Sequence, residues 1–374
     1  MSSVLIWITG LAALLHLGLW ATLLLNLGYL RRTTGTASSP LPALTVCIPA
    51  RNEAENLRRL LPSLLRQNYP SLEIIVWDDG SDDGTWEVLQ SVDDSRLRAF
   101  QGGSLPEGWI GKVHALYQCT RRATGDCYLF LDADAELTGP DALDRLVDQH
   151  ETAASGVTTG LPRLRGAALL LVSLVPYALL TGLPWPLVPR TSSPGLSALN
   201  GQCWLIDADL YHTHEPHEQV RNAVLEDVAI GRYLKRQGHP PVLQDVQACV
   251  SVHMYESFGA AWAGFRKNAY LLLGGNPFSF ACTYSYFLLT WLVAPVLSPW
   301  FLLSLYGLKA TTDRANGISL HTSVLAPVSF LLGLILQVDS AVHHWADHVT
   351  WKGRPVPSSQ SSDGAGSTTG SSRP

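Results

Sequence analysis

The sequence predicts an α/β domain with a mostly parallel sheet, joined to transmembrane helices near both ends of the chain. Two observations carry this prediction. From residue 44 onward, short apolar strands alternate with amphipathic helices, which is the pattern of a parallel sheet covered on both faces. Only 15% of the 374 residues are charged, against about 25% in soluble domains, and the deficit is concentrated in a few long uncharged stretches.

These uncharged stretches mark the predicted membrane segments. Residues 1–30 contain no charged side chain, a run long enough to cross about 30 Å of hydrocarbon. A cleaved signal peptide is the alternative, but the run has no basic start, is too long, and is followed by Arg31 and Arg32. These arginines place the next domain in the cytoplasm by the positive-inside rule. Two more spans are predicted at residues 284–308 and 318–338.

The same features divide the chain into five segments. We expect a transmembrane anchor, a linker, a cytoplasmic α/β domain, two C-terminal transmembrane helices and a cytoplasmic, mostly disordered tail, at residues 1–30, 31–43, 44–265, 266–340 and 341–374. A further apolar stretch of 17 residues, 167–183, is interrupted by Pro176. An interfacial helix that rests on the bilayer is favoured there over a true span.

Charge and cysteine content exclude other classes of protein. The net charge is −5 and no run is rich in Lys and Arg, so we expect no nucleic-acid partner. The six cysteines are scattered without a C-x-x-C pair, which favours reduced, buried residues over a disulfide framework or a zinc site. A transporter or channel is disfavoured, because the predicted spans hold almost no ionisable residues.

Two predicted strands each end in a group of carboxylates, and the first of these groups begins at Asp78. The predicted strand at residues 72–77 runs into Asp78 and Asp79, and two more acids follow within the next four residues. Ligands of α/β sheets bind at the carboxyl ends of parallel strands, so these side chains are candidates for a binding site. A solvated Asp/Gly turn is the alternative explanation.

The second acidic strand end carries Asp132 and Asp134. They follow a predicted strand at 127–131, and their spacing makes them face the same way. Two carboxylates on one side bind a hard divalent cation such as Mg²⁺ or Mn²⁺ through oxygen. D-x-D is common by chance, but a position after a buried strand, some fifty residues beyond the first acidic strand end, strengthens the prediction.

A third acidic pair, Glu226 and Asp227, begins a predicted helix. The simplest explanation is structural, since acids at a helix N-terminus stabilise it by about 0.3–1 kcal/mol. The functional interpretation makes Asp227 a general base that points from the helix start into a cleft. The local sequence alone favours the structural explanation.

The order and spacing of these motifs resemble family 2 glycosyltransferases with the Rossmann-like GT-A fold. The shared motifs are Pro-Ala-Arg-Asn-Glu at 49–53, Asp-Asp-Gly-Ser-x-Asp at 78–83, Asp-x-Asp at 132–134 and Glu-Asp at 226–227, and the similarity covers roughly residues 44–253. A finer resemblance is to the subgroup associated with carotenoid and hopanoid glycosylation. Six stretches carry it: 108–112, 200–202, 217–221, 254–255, 264–268 and 351–354.

The resemblance implies roles for residues that bind the nucleotide sugar. Five of them would form or adjoin the pocket for the base and ribose: Pro49, Arg51, Glu53, Asp79 and, nearby, Asp78. Lys112 would approach the diphosphate or the sugar. Three more would contact substrate: Gly201, Gln202 and Glu226.

The resemblance also implies a metal and a base. Asp132 and Asp134 would hold the sugar nucleotide through Mg²⁺ or Mn²⁺, with Asp134 the more direct ligand, and Asp227 would take the proton of the acceptor hydroxyl. His253 is a candidate third metal ligand, although a supporting or solvent-facing histidine is the favoured alternative. One base suffices for a single displacement at the anomeric carbon, so inversion is implied, unlike the two-carboxylate schemes of hydrolases.

The expected reaction is transfer of one sugar. Processive synthases of this family carry Q-x-x-R-W, and the chain contains no Arg-Trp dipeptide. UDP is the usual carrier in the family, so a UDP-sugar is the favoured donor. The membrane segments favour a lipid acceptor, such as a carotenoid, a hopanoid or a glycerolipid. Transfer to prenyl phosphate or a soluble acceptor and a catalytically inactive sugar-nucleotide-binding scaffold remain as alternatives.

Overall fold

The structure is a computed structural model that describes residues 3–30, 41–346 and 348–355. Most of the predicted linker and the tail from residue 356 therefore lie outside the described residues. The strands are β1 Leu44–Ala50, β2 Leu72–Asp78, β3 Leu97–Gln101, β4 Cys127–Leu131, β5 Ala135–Leu137, β6 Val157–Leu161, β7 Arg163–Arg165, β8 Cys203–Asp207, β9 Val242–Asp245, β10 Val250–His253, β11 Thr350–Trp351 and β12 Arg354–Pro355.

Sixteen α-helices occur among the described residues. They are α1 Ser3–Leu30, α2 Ala54–Leu65, α3 Thr85–Gln90, α4 Gly111–Thr120, α5 Ala142–Ala153, α6 Leu169–Val172, α7 Leu174–Gly182, α8 Ala208–His214, α9 Pro216–Gln219, α10 Glu226–Arg236, α11 Phe258–Leu272, α12 Pro277–Leu288, α13 Ala294–Leu297, α14 Pro299–Ala315, α15 Leu320–Val324 and α16 Ala326–Trp345. A π-helical segment, Leu289–Val293, joins α12 to α13.

The main sheet has seven strands in the order β3-β2-β1-β4-β8-β6-β9. The pairs among β3, β2, β1 and β4 are parallel, as is the pair of β6 with β9. Only β8 runs antiparallel to its two neighbours. The predicted mostly parallel α/β sheet is therefore confirmed. A second, three-stranded sheet in the order β5-β10-β7 lies beside it.

The central strands are apolar on both faces because helices cover both. Alternate residues of β1 and β2, such as Val46 and Ile74, share a hydrophobic cluster with residues of α2 and α5. The residues between them, such as Cys47 and Ile75, belong to a second cluster that includes residues of α4 and α10. The alternation of side chains has a period of two, as expected for strands. Because helices cover both faces, the carboxyl ends of the strands remain as the open edge of the sheet.

Within the described ranges, three helical stretches are long and apolar enough to cross a membrane: Ser3–Leu30, Pro277–Leu297 and Ala326–Trp345. The last two differ from the bounds that the sequence predicted. The predicted span at 284–308 is broken because Ser298 is extended, at φ −156° and ψ 135°, ahead of Pro299. The predicted span at 318–338 is interrupted by the end of α15, and the long helix begins only at Ala326.

The apolar stretch at 167–183 forms two helices of four and nine residues, too short to cross a bilayer. They pack on α1 through a buried asparagine. Asn26 Nδ2 donates to the carbonyls of Leu180 and Leu183, at 2.8 Å each. Trp185 N donates to Asn26 Oδ1 at 2.8 Å. The interfacial position of this stretch stays a prediction.

Candidate active site

The ends of β1 and β2 bring together the residues predicted to form the nucleotide pocket. Asp78 is fully buried, and its Oδ1 accepts hydrogen bonds from Ser81 N at 3.0 Å and Ser81 Oγ at 2.5 Å. The loop after β2 is thereby closed. Arg51 crosses from β1 and donates from Nη1 to the carbonyl of Asp79 at 2.5 Å. Asp79 Oδ1 is buried without a hydrogen-bond partner among the described residues.

Pro49 and Glu53 flank this pocket. Pro49 lies near the end of β1, opposite Trp77 of β2 in the parallel register. Glu53 immediately precedes α2, and its Oε2 accepts from Asn56 Nδ2 at 2.5 Å. Both residues therefore lie at the carboxyl edge of the sheet, on the same side as Asp79.

Lys112 connects two of the acidic motifs. Its Nζ lies 2.7 Å from Asp132 Oδ1, at the end of β4, and 2.9 Å from Glu226 Oε1, in the first turn of α10. Burial acts to lower the pKa of Lys112, but the two carboxylates outweigh it and hold the pKa well above its usual value. The amino group therefore stays charged and binds two elements that are nearly a hundred residues apart in sequence.

Asp227 lies next to this ion-pair group and is held by backbone donors. Its Oδ2 accepts from Gly201 N at 3.1 Å, and its Oδ1 accepts from Val228 N at 2.8 Å. Burial, with the neighbouring charge of Glu226, raises the pKa of Asp227 to about 6, against the opposing effect of Lys112. A carboxylate with a pKa in this range is a stronger base than an exposed aspartate.

Asp134 has a different environment from that of Asp227. Its Oδ1 is buried and has no hydrogen-bond partner among the described residues. Burial, then the charges of Asp132 and Glu53, raise the pKa of Asp134 to about 8. A buried, unpartnered carboxylate oxygen beside a second carboxylate fits a divalent cation, because a cation would offset the negative charges.

The backbone of His253 contacts Asp134, whereas its imidazole ring contacts a different residue. His253 N donates to the carbonyl of Asp134 at 2.9 Å, whereas His253 Nε2 lies 2.9 Å from Glu136 Oε2. Within the described part of the chain, three possible ligand side chains converge only at His150, Glu151 and Asp207. The proposed trio of Asp132, Asp134 and His253 is not such a group, so its metal role stays a prediction.

Gln202 and Gly201 lie at the turn that enters β8. Asp132 N donates to the carbonyl of Gln202 at 3.3 Å, and Gln202 Oε1 is buried without a partner among the described residues. Gly201 leaves space between two functional side chains, because a Cβ there would lie 3.3 Å from Asp227 Oδ2 and 3.4 Å from Lys112 Nζ. Both predicted substrate-contacting residues therefore adjoin the acidic groups.

Three cationic side chains that were given no role from the sequence also lie at the site: Lys267, Lys352 and Arg354. Lys352 Nζ donates to the carbonyl of Arg51 at 2.6 Å, and Arg354 Nη1 donates to Asp79 Oδ2 at 2.5 Å. Burial lowers the pKa of Lys267, and the charge of Glu226 opposes this shift. The only sequence signal for these residues is their place in stretches 264–268 and 351–354 of the subgroup resemblance.

The sheet order, with acidic groups at the ends of β2 and β4 and at the start of α10, defines a GT-A type of fold. A solved structure supports this: the mannosyltransferase PcManGT from Pyrobaculum calidifontis, in complex with GDP-Man and Mn²⁺, matches 90% of this chain and 98% of its own with a TM-score of 0.55 and 19% identity. Residues 45–169 match the profile of glycosyl transferase family 2. The chain thus contains a family 2 glycosyltransferase domain, and the protein is a glycosyltransferase.

Two relatives of this chain are 4,4'-diaponeurosporenoate glycosyltransferases. The one from Staphylococcus haemolyticus is 25% identical over 343 residues, which cover 83% of this chain and 88% of the relative. The one from Staphylococcus aureus strain USA300 is 27% identical over 252 residues, which cover 63% of this chain and 62% of the relative. The predicted resemblance to carotenoid-associated glycosyltransferases is confirmed.

Proposed function

We propose that this protein transfers a single sugar, with inversion, from a nucleotide-activated donor to a hydroxyl group of a membrane lipid. The observation that carries the proposal is the arrangement around Asp227. Two backbone N–H groups hold its carboxylate at the start of α10, and the adjacent Glu226 is tied through Lys112 to Asp132. A base and a donor-binding group therefore occupy one open edge of the sheet.

The donor site follows from the residues along this edge. The nucleoside would lie against Pro49, Arg51 and Asp79, and the diphosphate would approach Lys112. Asp134 and Asp132 would hold Mg²⁺ or Mn²⁺, and the unpartnered Oδ1 of Asp134 supports this assignment. The ion would act as a Lewis acid that stabilises the negative charge on the leaving diphosphate. A UDP-sugar remains the favoured donor.

The attack of the acceptor needs a base, and a side chain of this protein would supply it. As the bond between the anomeric carbon and the diphosphate oxygen breaks, the acceptor oxygen forms its bond from the opposite face. Asp227 takes the proton of the acceptor hydroxyl, and its pKa of about 6 leaves it ionised and basic at neutral pH. A single displacement of this kind inverts the anomeric centre.

The proposed acceptor is a membrane lipid, with a carotenoid first among the candidates. Three helices long and apolar enough to span a bilayer accompany the domain. The relatives are named for a carotenoid carboxylate, which supports the carotenoid class of acceptor, whereas the hydroxyl is proposed here because backbone donors hold Asp227 as a base. Hopanoids and glycerolipids share the placement of a polar group at the membrane surface. We further propose that the domain at 44–265 faces the cytoplasm, which the two arginines after the first span support.

The proposal is tested with the full-length protein in lipid nanodiscs. With Mn²⁺ or Mg²⁺, a panel of α-linked sugar nucleotides and extracted membrane lipid, we expect nucleoside diphosphate release and a β-linked product, identified by its NMR coupling constants. Asp227→Asn should abolish both signals, while Asp209→Asn, an exposed position on α8, should leave them unchanged. An α-linked product, or release that persists in Asp227→Asn, would refute the proposed mechanism.

A further inference from the structure

The segment after α16 folds back as a short hairpin. Strands β11 and β12 pair antiparallel, and the turn between them consists of Lys352 and Gly353, with φ of +46° and +77°. Positive φ at both central residues is the geometry of a type I′ turn, which favours Asn-Gly or Asp-Gly. Lysine rarely adopts this conformation, so contacts elsewhere must hold Lys352 in place.

Lys352 makes those contacts with the end of β1. Its Nζ donates to the carbonyl of Arg51 at 2.6 Å and forms an ion pair with Glu53 Oε1. In return, Arg51 Nε donates to the carbonyl of Lys352 at 3.2 Å. The turn is thus fixed to the proposed nucleotide pocket by three interactions, all with residues of the Pro-Ala-Arg-Asn-Glu motif that lines it.

Arg354 makes the corresponding contact with the end of β2. Its guanidinium pairs with Oδ2 of Asp79, a carboxylate that is almost completely buried. Asp79 Oδ1, by contrast, has no partner in the described part of the protein. Gly111, at the start of α4, makes room for the guanidinium, because a Cβ there would lie only 2.6 Å from Arg354 Nη1.

We propose that Lys352 and Arg354 are positioning residues of the donor site: they fix the carboxylates of Glu53 and Asp79, and leave Asp79 Oδ1 to accept a hydrogen bond from the nucleoside. This inference rests on the proposed function, because it takes the pocket to be a nucleotide site. If so, the hairpin after the last candidate span is an integral part of the donor pocket, although it lies about 300 residues from the pocket's first strand in sequence.

Charge explains why the pocket needs these cations. Asp79 follows the fully buried Asp78, and Arg51 contacts the Asp79 carbonyl but not its carboxylate. Removal of Arg354 would leave the buried Asp79 carboxylate without its ion pair, which favours rotation of the side chain toward another partner. Loss of one charge-assisted hydrogen bond that orients the ligand-binding group should weaken donor binding about tenfold or more.

The test compares three charge-removing variants of the full-length protein in nanodiscs. Lys352→Asn removes the cation but suits the type I′ turn, and Arg354→Gln removes the ion pair with Asp79. Arg236→Gln, an exposed position at the end of α10, is the control. The dissociation constants of UDP and GDP are measured by calorimetry both with and without Mn²⁺, and KM and kcat are measured with the active donor.

We expect Lys352→Asn and Arg354→Gln to raise the dissociation constant and KM about tenfold, with kcat and melting temperature near those of the wild type. Arg354→Lys should recover part of the affinity, and Arg236→Gln should change nothing. Unchanged or tighter nucleotide binding by the two variants would overturn this inference alone. Failure of the wild-type protein to bind either nucleotide would overturn the proposed function together with it.

Discussion

At the scale of single residues, Asp227 and Asp134 show how one residue type is adapted to two tasks. Asp227 accepts two backbone hydrogen bonds and has a pKa of about 6. Asp134 has an unpartnered buried oxygen and a higher pKa, of about 8, in the absence of a cation. Environments that separate the pKa values of neighbouring acids often mark different chemical roles, here a base and a metal ligand.

The pKa of Asp227 predicts a pH dependence of transfer. The group must be ionised to accept a proton, and its pKa is raised, so activity should be lost as the pH falls through about 6. We expect kcat/KM for the acceptor to rise about tenfold per pH unit below this value and to level off above it. Initial rates between pH 4.5 and 8 provide the measurement. A flat profile across pH 5 to 7 would contradict the assigned role.

Gly201 predicts a steric effect on the same base. In Gly201→Ala, the new Cβ would lie 3.3 Å from Asp227 Oδ2 and 3.4 Å from Lys112 Nζ, so one of these groups must move. Small displacements of a catalytic group are costly, and we expect kcat to fall about tenfold or more with the fold retained. The matched control is Gly195→Ala, whose Cβ would meet only Ser193 Oγ at 3.7 Å. Equal rates for both variants would argue against this positioning.

At the scale of elements, the sequence predicted the positions of those strands whose apolar pattern is local. Strands such as Leu72–Asp78 and Cys127–Leu131 lie where the apolar pattern placed them, because each is a buried run that the pattern reveals. The antiparallel direction of β8 was not predictable, since no local signal records strand direction. The span near Pro299 was drawn through that proline because membrane helices often tolerate proline, whereas in the structure Ser298 is extended and the helix breaks there.

Asn26 predicts the stability of the contact between α1 and α7. Pro184 has no N–H to offer the Leu180 carbonyl, and Asn26 Nδ2 replaces that missing donor. Asn26→Leu would leave buried backbone groups of residues 180, 183 and 185 unpaired, a loss of about 1–3 kcal/mol for such groups. We expect a melting temperature several degrees lower in detergent, measured by intrinsic fluorescence. Leu25→Ala, at a position 56% exposed, is the control; an equal shift in both variants would contradict this account.

At the scale of the whole molecule, the site is assembled from distant segments that helix packing holds together. Helix α16 is bound to α11 through Ser340, whose Oγ accepts from Tyr270 N at 2.9 Å and donates to the carbonyl of Arg266 at 2.5 Å. The chain then returns to the pocket at Lys352 and Arg354. The sequence identified the acidic residues of the site through their motifs. It did not reveal this closure, because contacts across 300 residues leave no local pattern.

The central claim is that a sugar moves from a nucleotide to a lipid under the control of Asp227 and Asp134. The most direct measurement incubates membranes containing the protein with Mn²⁺ or Mg²⁺ and labelled sugar nucleotides, and follows label into the organic phase. The account predicts label there from one donor in the wild type, and none in Asp227→Asn or Asp134→Ala. Label that stays in the aqueous phase, while nucleotide is still released in an Asp227-dependent way, would contradict the lipid acceptor.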